Sequence, residues 1–465
     1  MDLDSRNIPR WPLLALALLI AALAAAPAGA ATYPAGFEER TLVSGLTGPV
    51  GVAWTPDGRM LVIEKAGRLR IASPGASTAT TVLDITGRVN SYWDRGLLGI
   101  AVDSDFVSNR FVYLLYTHDL NQLTPDGSGP AISRLSRFEL SPTNQLSNET
   151  MLLGTYAGGA CPAPSNTGDC VPSEGASHSI GTVRSAPDGT LYVGSGDASS
   201  FSFVDSLAFR TYDERSMAGK ILRIDRNGRG VPGHPFCPSD TNLDHVCTKL
   251  YAKGFRNPYR FKLRPGGGLA VGDVGWDTRE EVTLIGAGGR SYGWPCYEGT
   301  LRTPGYRDRG ECATEYAKEG SPEAQVSPAH DYAHNGASAA VMAGPTYQGN
   351  EYPSGYRDTI FFGDYAAGFL KRLRLDATGA VAGVESFATG WTGTDIEAAP
   401  NGDVTFVSFG DGSPGTGSVQ RIAYSPGNGT PTANATATST SGDAPLTVQF
   451  SSAGSSDPDG DQLSY

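Results

Sequence analysis

Apolar and polar residues along this chain fall into short strand-like runs rather than helical stripes. In VAWTPDGRMLVIEKAGRLRI (52–71) an apolar run meets a Pro-Asp-Gly turn, and a second run, another turn and a third run follow. The phrase returns as VRSAPDGTLYVGSGD (183–197), FKLRPGGGLAVGDVG (261–275) and IEAAPNGDVTFVSFGDG (396–412), and more loosely as LGIAVDSDFVSNRFVYLLYT (98–117). Proline presets φ for the turn, and Asn/Asp-Gly supplies the left-handed positions a tight hairpin needs. Runs of this length that alternate or stay apolar predict buried antiparallel strands. Between the hairpins lie further strand candidates, SRLSRFELSPT, GKILRIDRNG and FLKRLRLDATG, each ending in a polar turn.

Four-stranded units repeated radially make a β-propeller. The repeats span 38–424. At roughly 40–45 residues per compact blade that span would hold about nine blades, more than usual. Six blades with long decorated loops fit better, with an irregular all-β sandwich as the alternative. Past Tyr424 the composition shifts. Residues 425–440 are rich in Gly, Ser, Thr, Pro and Ala, the flexible type of linker. Residues 441–465 read as strand, turn and Asp-rich bend, and PLTVQFSSAGSSDPDGDQLSY resembles the start of a PKD domain, a small immunoglobulin-like β-sandwich. A piece with so few strands cannot close a core alone.

Composition changes the picture at three points. Arg6 and Arg10 precede WPLLALALLIAALAAAPAGA, which ends in Ala28-Gly29-Ala30. That pattern predicts a signal peptide over 1–30, cleaved before Ala31; an uncleaved anchor is the other reading, and nothing downstream is apolar enough to span a bilayer. The expected address is secreted or periplasmic. Six cysteines suit an oxidising compartment. They fall as local pairs, Cys161 with Cys170, Cys237 with Cys247 and Cys296 with Cys312; the short loops favour neighbour pairing, and the absence of CxxC spacing argues against zinc. The net charge of −12 argues against nucleic acid or anionic lipid as partner.

The chemistry-bearing phrases are RGLLGIAVDSDF, HSIGTVRSAPDGTLYVGSGD, GKILRID, GFRNPYRF and GDVGWDTREEVTLIGAGGRSYGWP. Together and in this order they resemble the glucose/sorbosone dehydrogenase family, the soluble quinoprotein sugar dehydrogenases. The resemblance implies a six-bladed propeller holding pyrroloquinoline quinone (PQQ) and calcium at the mouth of its channel, a sugar substrate and an external electron acceptor. It makes His178 the catalytic base, with the small residues of EGASHSIGTV leaving space for cofactor and sugar. Arg256 and Asn257 match a pair that touches the quinone, where a guanidinium offsets developing negative charge. Tyr259 follows, where an amide residue is expected. The carbonyls of Gly275 and Trp276 match ligands of the cofactor-side calcium, although Trp276 replaces a proline. Glu281 and the Tyr292 carbonyl match a second, structural calcium site.

Read without the resemblance, His178 is a loop histidine, Arg256 a tie between loops, and the Asp273, Asp277, Glu280 and Glu281 stretch a solvated acidic turn. Departures from the family pattern matter as well. Ala366, Thr392 and Thr394 stand where cations anchor the PQQ carboxylates, Asp94 replaces an amide, and Ser177 replaces an acid. Each missing charge-assisted contact is worth about 1.5–3 kcal/mol. A noncatalytic propeller that binds carbohydrate or protein is therefore the alternative function; the PKD-like tail could make such contacts too. A hydrolase finds no Gly-x-Ser-x-Gly elbow. His330 and His334, four apart with Asp331 between them, could bind a metal on a helix, but the surrounding Pro, Asn-Gly and Gly predict a loop or strand at the mouth, where His334 could meet a sugar.

Overall fold

The computed structural model describes residues 31–122, 126–127, 129, 131–427, 431–457 and 463. The predicted signal segment, 1–30, lies outside them. Six sheets follow one another around a ring, antiparallel except for one parallel edge pair, Leu250–Lys253 with Arg290–Ser291. The first blade runs Pro49–Trp54, Met60–Glu64, Arg68–Ala72 and Thr80–Asp84. The second is built on Leu97–Val102, Phe111–Asp119 and Ala131–Leu140, and the third on Ile180–Ser185, Leu191–Ser195, Lys220–Ile224 and Leu250–Lys253. Arg260–Leu263, Leu269–Asp273, Arg279–Ile285 and His330–Ala333 make the fourth, and Val341–Thr346, Ile360–Asp364, Phe369–Leu375 and Val381–Thr389 the fifth. The sixth joins Gly393–Ala398, Val404–Ser408 and Gly417–Tyr424 to Phe37–Leu46 from the other end of the chain. That last pairing, Phe37 opposite Tyr424, closes the ring.

Each Pro-Asp-Gly phrase joins the first strand of a blade to the second. The second strands Met60–Glu64, Leu191–Ser195, Leu269–Asp273 and Ile360–Asp364 are buried at every position. A strand in mid-sheet, covered by the neighbouring blade on each face, has no water-facing side, so it reads as an unbroken apolar run. The connections before each first strand and after each second strand therefore gather at the opposite end from these turns.

The central channel is crossed by charge. Lys262 Nζ lies 2.8 Å from Asp395 and 2.5 Å from Glu397, Arg184 lies 2.5 Å from Glu397, and Arg260 lies 3.4 Å from Asp395. Arg260, buried, also donates to the carbonyls of Val50, Gly181 and Thr394. These groups come from the first, third, fourth and sixth blades, so the network ties the ring across its centre.

Disulfides join Cys161–Cys170, Cys237–Cys247 and Cys296–Cys312, the neighbour pairing. Beyond the ring, Thr436–Ala437 pairs with Phe450–Ser451 as an isolated two-stranded ladder. Among the described residues no helix is long and apolar enough to cross a membrane.

Candidate active site

His178 sits two residues before the first strand of the third blade, with φ 54°, a left-handed conformation uncommon outside glycine. It is 5% exposed, and its Nδ1 lies 3.1 Å from Oδ1 of Asp197, which follows the second strand of the same blade. Asp197 is fully buried and also accepts from Ser199 N (3.0 Å), Ser199 Oγ (2.6 Å) and Trp294 Nε1 (2.7 Å). A carboxylate can only accept, so Nδ1 carries the proton, and Nε2, without a hydrogen-bond partner among the described residues, is left as the base.

The small residues around His178 also have a packing role. Ser177 and Ser179 are buried, Ala198 N donates to the His178 carbonyl at 3.0 Å, and a Cβ on Gly196 would overlap the His178 backbone. Small side chains let two backbone segments of the blade touch and lock the histidine in place.

Burial, then the nearby Arg256 charge, lowers the His178 pKa against the pull of Asp197. Burial works against the Asp197 carboxylate, but bonding to His178, the charges of His178 and Arg256, and the Ser199 hydroxyl outweigh it, and its pKa falls. The pair is thus a neutral imidazole on an ionised acid.

Arg256 and Asn257 precede the first strand of the fourth blade. Their N–H groups donate to the two oxygens of Asp273, at 3.1 and 2.6 Å. Arg256 Nη1 donates to the carbonyls of Val274 (3.0 Å) and Gly275 (2.5 Å), and its guanidinium lies 5.5 Å from the Trp294 ring centre. The Gly275 carbonyl therefore faces a cation already. Tyr259 turns its hydroxyl to Arg260, 3.0 Å away, and stacks under that guanidinium at 3.9 Å.

Trp276 is held by a residue the sequence reading passed over. Buried Glu298 Oε1 accepts from the N–H groups of Trp276, Asp277, Thr278 and Arg279 at 2.7–3.1 Å, a nest that fixes the turn. Glu280 accepts from His334 Nε2 (2.8 Å), Gly275 N (3.2 Å) and Val341 N (3.0 Å). That bond to Glu280 raises the His334 pKa despite burial, which alone would lower it. His330 and His334 are on and just beyond an extended strand rather than a helix, and His330 packs on Tyr332 and Phe362.

Asp273 faces Glu281 across the strand pair. Burial raises the Asp273 carboxyl to about 7, and burial with the Asp273 charge raises Glu281 well above the carboxylate range. Tyr292 is tied to Lys253 by its N–H (2.9 Å), three residues before Arg256. Two facing buried acids with raised pKa values are a donor set that a divalent cation would relieve, and oxygen donors suit calcium.

At the positions expected to anchor carboxylates, Ala366 N donates to Asp364 and Thr394 Oγ1 to the carbonyls of Pro49 and Val407; Thr392 is half-buried. A cation is present elsewhere on this rim. Lys65, after the second strand of the first blade, lies 2.5 Å from the Ser91 carbonyl, and burial lowers its pKa to about 8 against the charges of Asp94 and Asp126.

A family model described as Glucose / Sorbosone dehydrogenase matches residues 46–415. An uncharacterized protein of Synechocystis is 25% identical over 386 residues, 78% of this chain and 82% of that one. Quinoprotein glucose dehydrogenase B of Acinetobacter calcoaceticus is 26% identical over 285 residues, covering 58% of this chain and 55% of that protein. Among solved structures, the PQQ-bound form of aldose sugar dehydrogenase from Streptomyces coelicolor superposes with a TM-score of 0.61 at 21% identity, over 84% of this chain and 99% of that one. The apo-form of the soluble Escherichia coli aldose sugar dehydrogenase gives 0.59 at 18% identity, over 84% and 100%. These structural likenesses establish the fold.

Proposed function

This chain belongs to the glucose/sorbosone dehydrogenase family, and from that premise we propose that it is an exported, PQQ- and calcium-dependent sugar dehydrogenase. The observation that carries the reading is the buried His178–Asp197 pair, a base with its tautomer fixed and its proton-accepting nitrogen bare. PQQ, when bound, supplies the two-electron acceptor for the hydride of the sugar C1–H. The chain's own residues do the rest. Nε2 of His178 takes the proton of the C1 hydroxyl. Asp197 holds the ring and steadies the imidazolium that results. Arg256 places a fixed positive charge where negative charge develops, and Asn257, on the same backbone clamp to Asp273, lines the same rim. Lys65 would supply a cation for a carboxylate of the cofactor in place of the missing anchors. An external acceptor would then reoxidise the enzyme.

Calcium fits Glu281 with Asp273 opposite it on the neighbouring strand; the Tyr292 carbonyl is the further donor that the family resemblance implies. The cofactor-side site at Gly275 and Trp276 fits less simply, because Arg256 must release the Gly275 carbonyl before a cation can take it. Without calcium the folded state holds protons on Asp273 and Glu281 that the unfolded chain releases above about pH 4. The calcium-free protein therefore loses stability as pH rises towards 7. Bound calcium reverses this, since its ligands must be ionised. Chelation should lower the melting temperature, and more at pH 8 than at pH 5; at a hundredfold excess over Kd the ion contributes about 2.7 kcal/mol. Glu281→Ala should remove the chelator's effect. A melt indifferent to chelator at pH 8 would discard the site.

The rival reading, a noncatalytic binding propeller, is favoured by two observations: Gly275 engaged by Arg256, and the uncharged Ala366, Thr392 and Thr394. Titration with PQQ and calcium separates the readings, because the rival expects no saturable quinone binding.

A further inference from the structure

The rim beside His178 carries aromatic rings that the proposed chemistry does not use. Trp93, in the loop before the second blade, stacks on Phe201, in the loop after the second strand of the third; their ring centres are 5.4 Å apart with planes at 29°. Both rings are half-buried, and Phe203, in the same loop as Phe201, is 60% exposed. Trp93 holds φ 53°, a conformation a bulky side chain seldom adopts.

Two short connections tie this pair to the histidine. Asp94 N, next to Trp93, donates to the Ala176 carbonyl (3.2 Å), two residues before His178. Ser199, two residues before Phe201, donates to Asp197, the acid that holds His178. The Phe201 carbonyl is pinned in turn by Trp276 Nε1 at 2.7 Å. Apolar rings left partly open at a site's edge mark a contact surface. Polar groups border them: the Asp94 carboxylate and the hydroxyls of Ser200 and Ser202, which lie 3.2 Å from each other. Aromatic faces flanked by hydroxyl and carboxylate groups match a pyranose ring, which is apolar across its C–H face and polar at its edge.

We infer that Trp93 and Phe201 form a stacking platform for a second sugar ring, so that this chain prefers the reducing end of an oligosaccharide to a free monosaccharide. This rests on the dehydrogenase reading in one respect. Only the reducing-end ring carries the hemiacetal that His178 would deprotonate, so the neighbouring ring is the one the platform meets.

Calorimetric titration of the full chain with malto-, cello-, xylo- and manno-oligosaccharides tests it. In at least one series Kd should fall about tenfold from monosaccharide to trisaccharide. Trp93→Ala and Phe201→Ala should each bring that ratio to about one, while Trp93→Tyr, which keeps a ring, should preserve most of it. Melting curves identify a variant that fails to fold, and the second alanine variant then decides. Equal affinity along every series, or an undiminished ratio in a folded alanine variant, overturns the inference. The two readings fail separately. Chain-length preference without any sugar oxidation in the presence of PQQ and calcium supports the platform and sinks the dehydrogenase; monosaccharide oxidation without that preference overturns the platform alone.

Discussion

Replacing His178 with asparagine should lower the rate of sugar oxidation by about 10²–10⁴-fold, the loss typical of a missing general base. Asparagine is the better-behaved variant. It tolerates the positive φ at this position, and its amide can still donate to Asp197, which keeps Ser199 and Trp294 as further donors. His178→Ala should cost the same activity and some stability as well, because the ring is buried and the left-handed backbone is strained for alanine. In the wild type the rate should rise with pH through a titration below the ordinary histidine value of about 6.5, since burial and Arg256 depress it and only neutral imidazole accepts the proton. Stopped-flow reduction across pH 4–8 reads both effects. A folded His178→Asn variant with wild-type turnover would remove His178 from the chemistry.

Asp395→Ala should produce the largest loss of stability. It strips the shared acceptor from Lys262 and leaves Arg260 without its carboxylate, and both cations are buried. Removing one partner of a buried ion pair costs about 3–5 kcal/mol, since the other charge stays desolvated. Glu397→Ala, at the half-buried end of the network, should cost less. The Asp395 carboxyl must overcome its burial, and the charges of Lys262, Arg260 and Arg184 bring its pKa down to about 2. A depressed acid contributes stability that is whole above its unfolded value of about 3.9 and is lost as pH falls towards 2. The wild type should therefore lose melting temperature below pH 4 more steeply than Asp395→Ala. Parallel acid limbs in the two proteins would contradict this account of the channel.

Five blades announce themselves in the sequence because their first two strands meet at a tight turn or at the short helix Phe106–Asn109. The fifth does not, since 347–359 joins its first two strands through a longer loop in which Tyr347 stacks on Tyr352. The closing strand Phe37–Leu46 is likewise silent, because its partner is more than three hundred residues away. At the rim, His178, Arg256 and Asn257 stand out by motif, whereas Asp197, Trp294, Glu298 and Lys65 do not. A signal for Asp197 was present: GSGD, VGDV and FGDY place an aspartate at or just past the end of a second strand, and Asp197, Asp273 and Asp364 all accept backbone N–H groups there. Glu298 gave none, because a carboxylate that satisfies four N–H groups of a distant turn has no local pattern.

The central claim stands or falls on reconstitution of the purified chain with PQQ and calcium, followed by quinone absorbance and sugar-dependent dye reduction. The account predicts saturable quinone binding and turnover that needs both PQQ and sugar. Absence of quinone binding, or binding without turnover across a broad panel of aldoses and oligosaccharides, would contradict it.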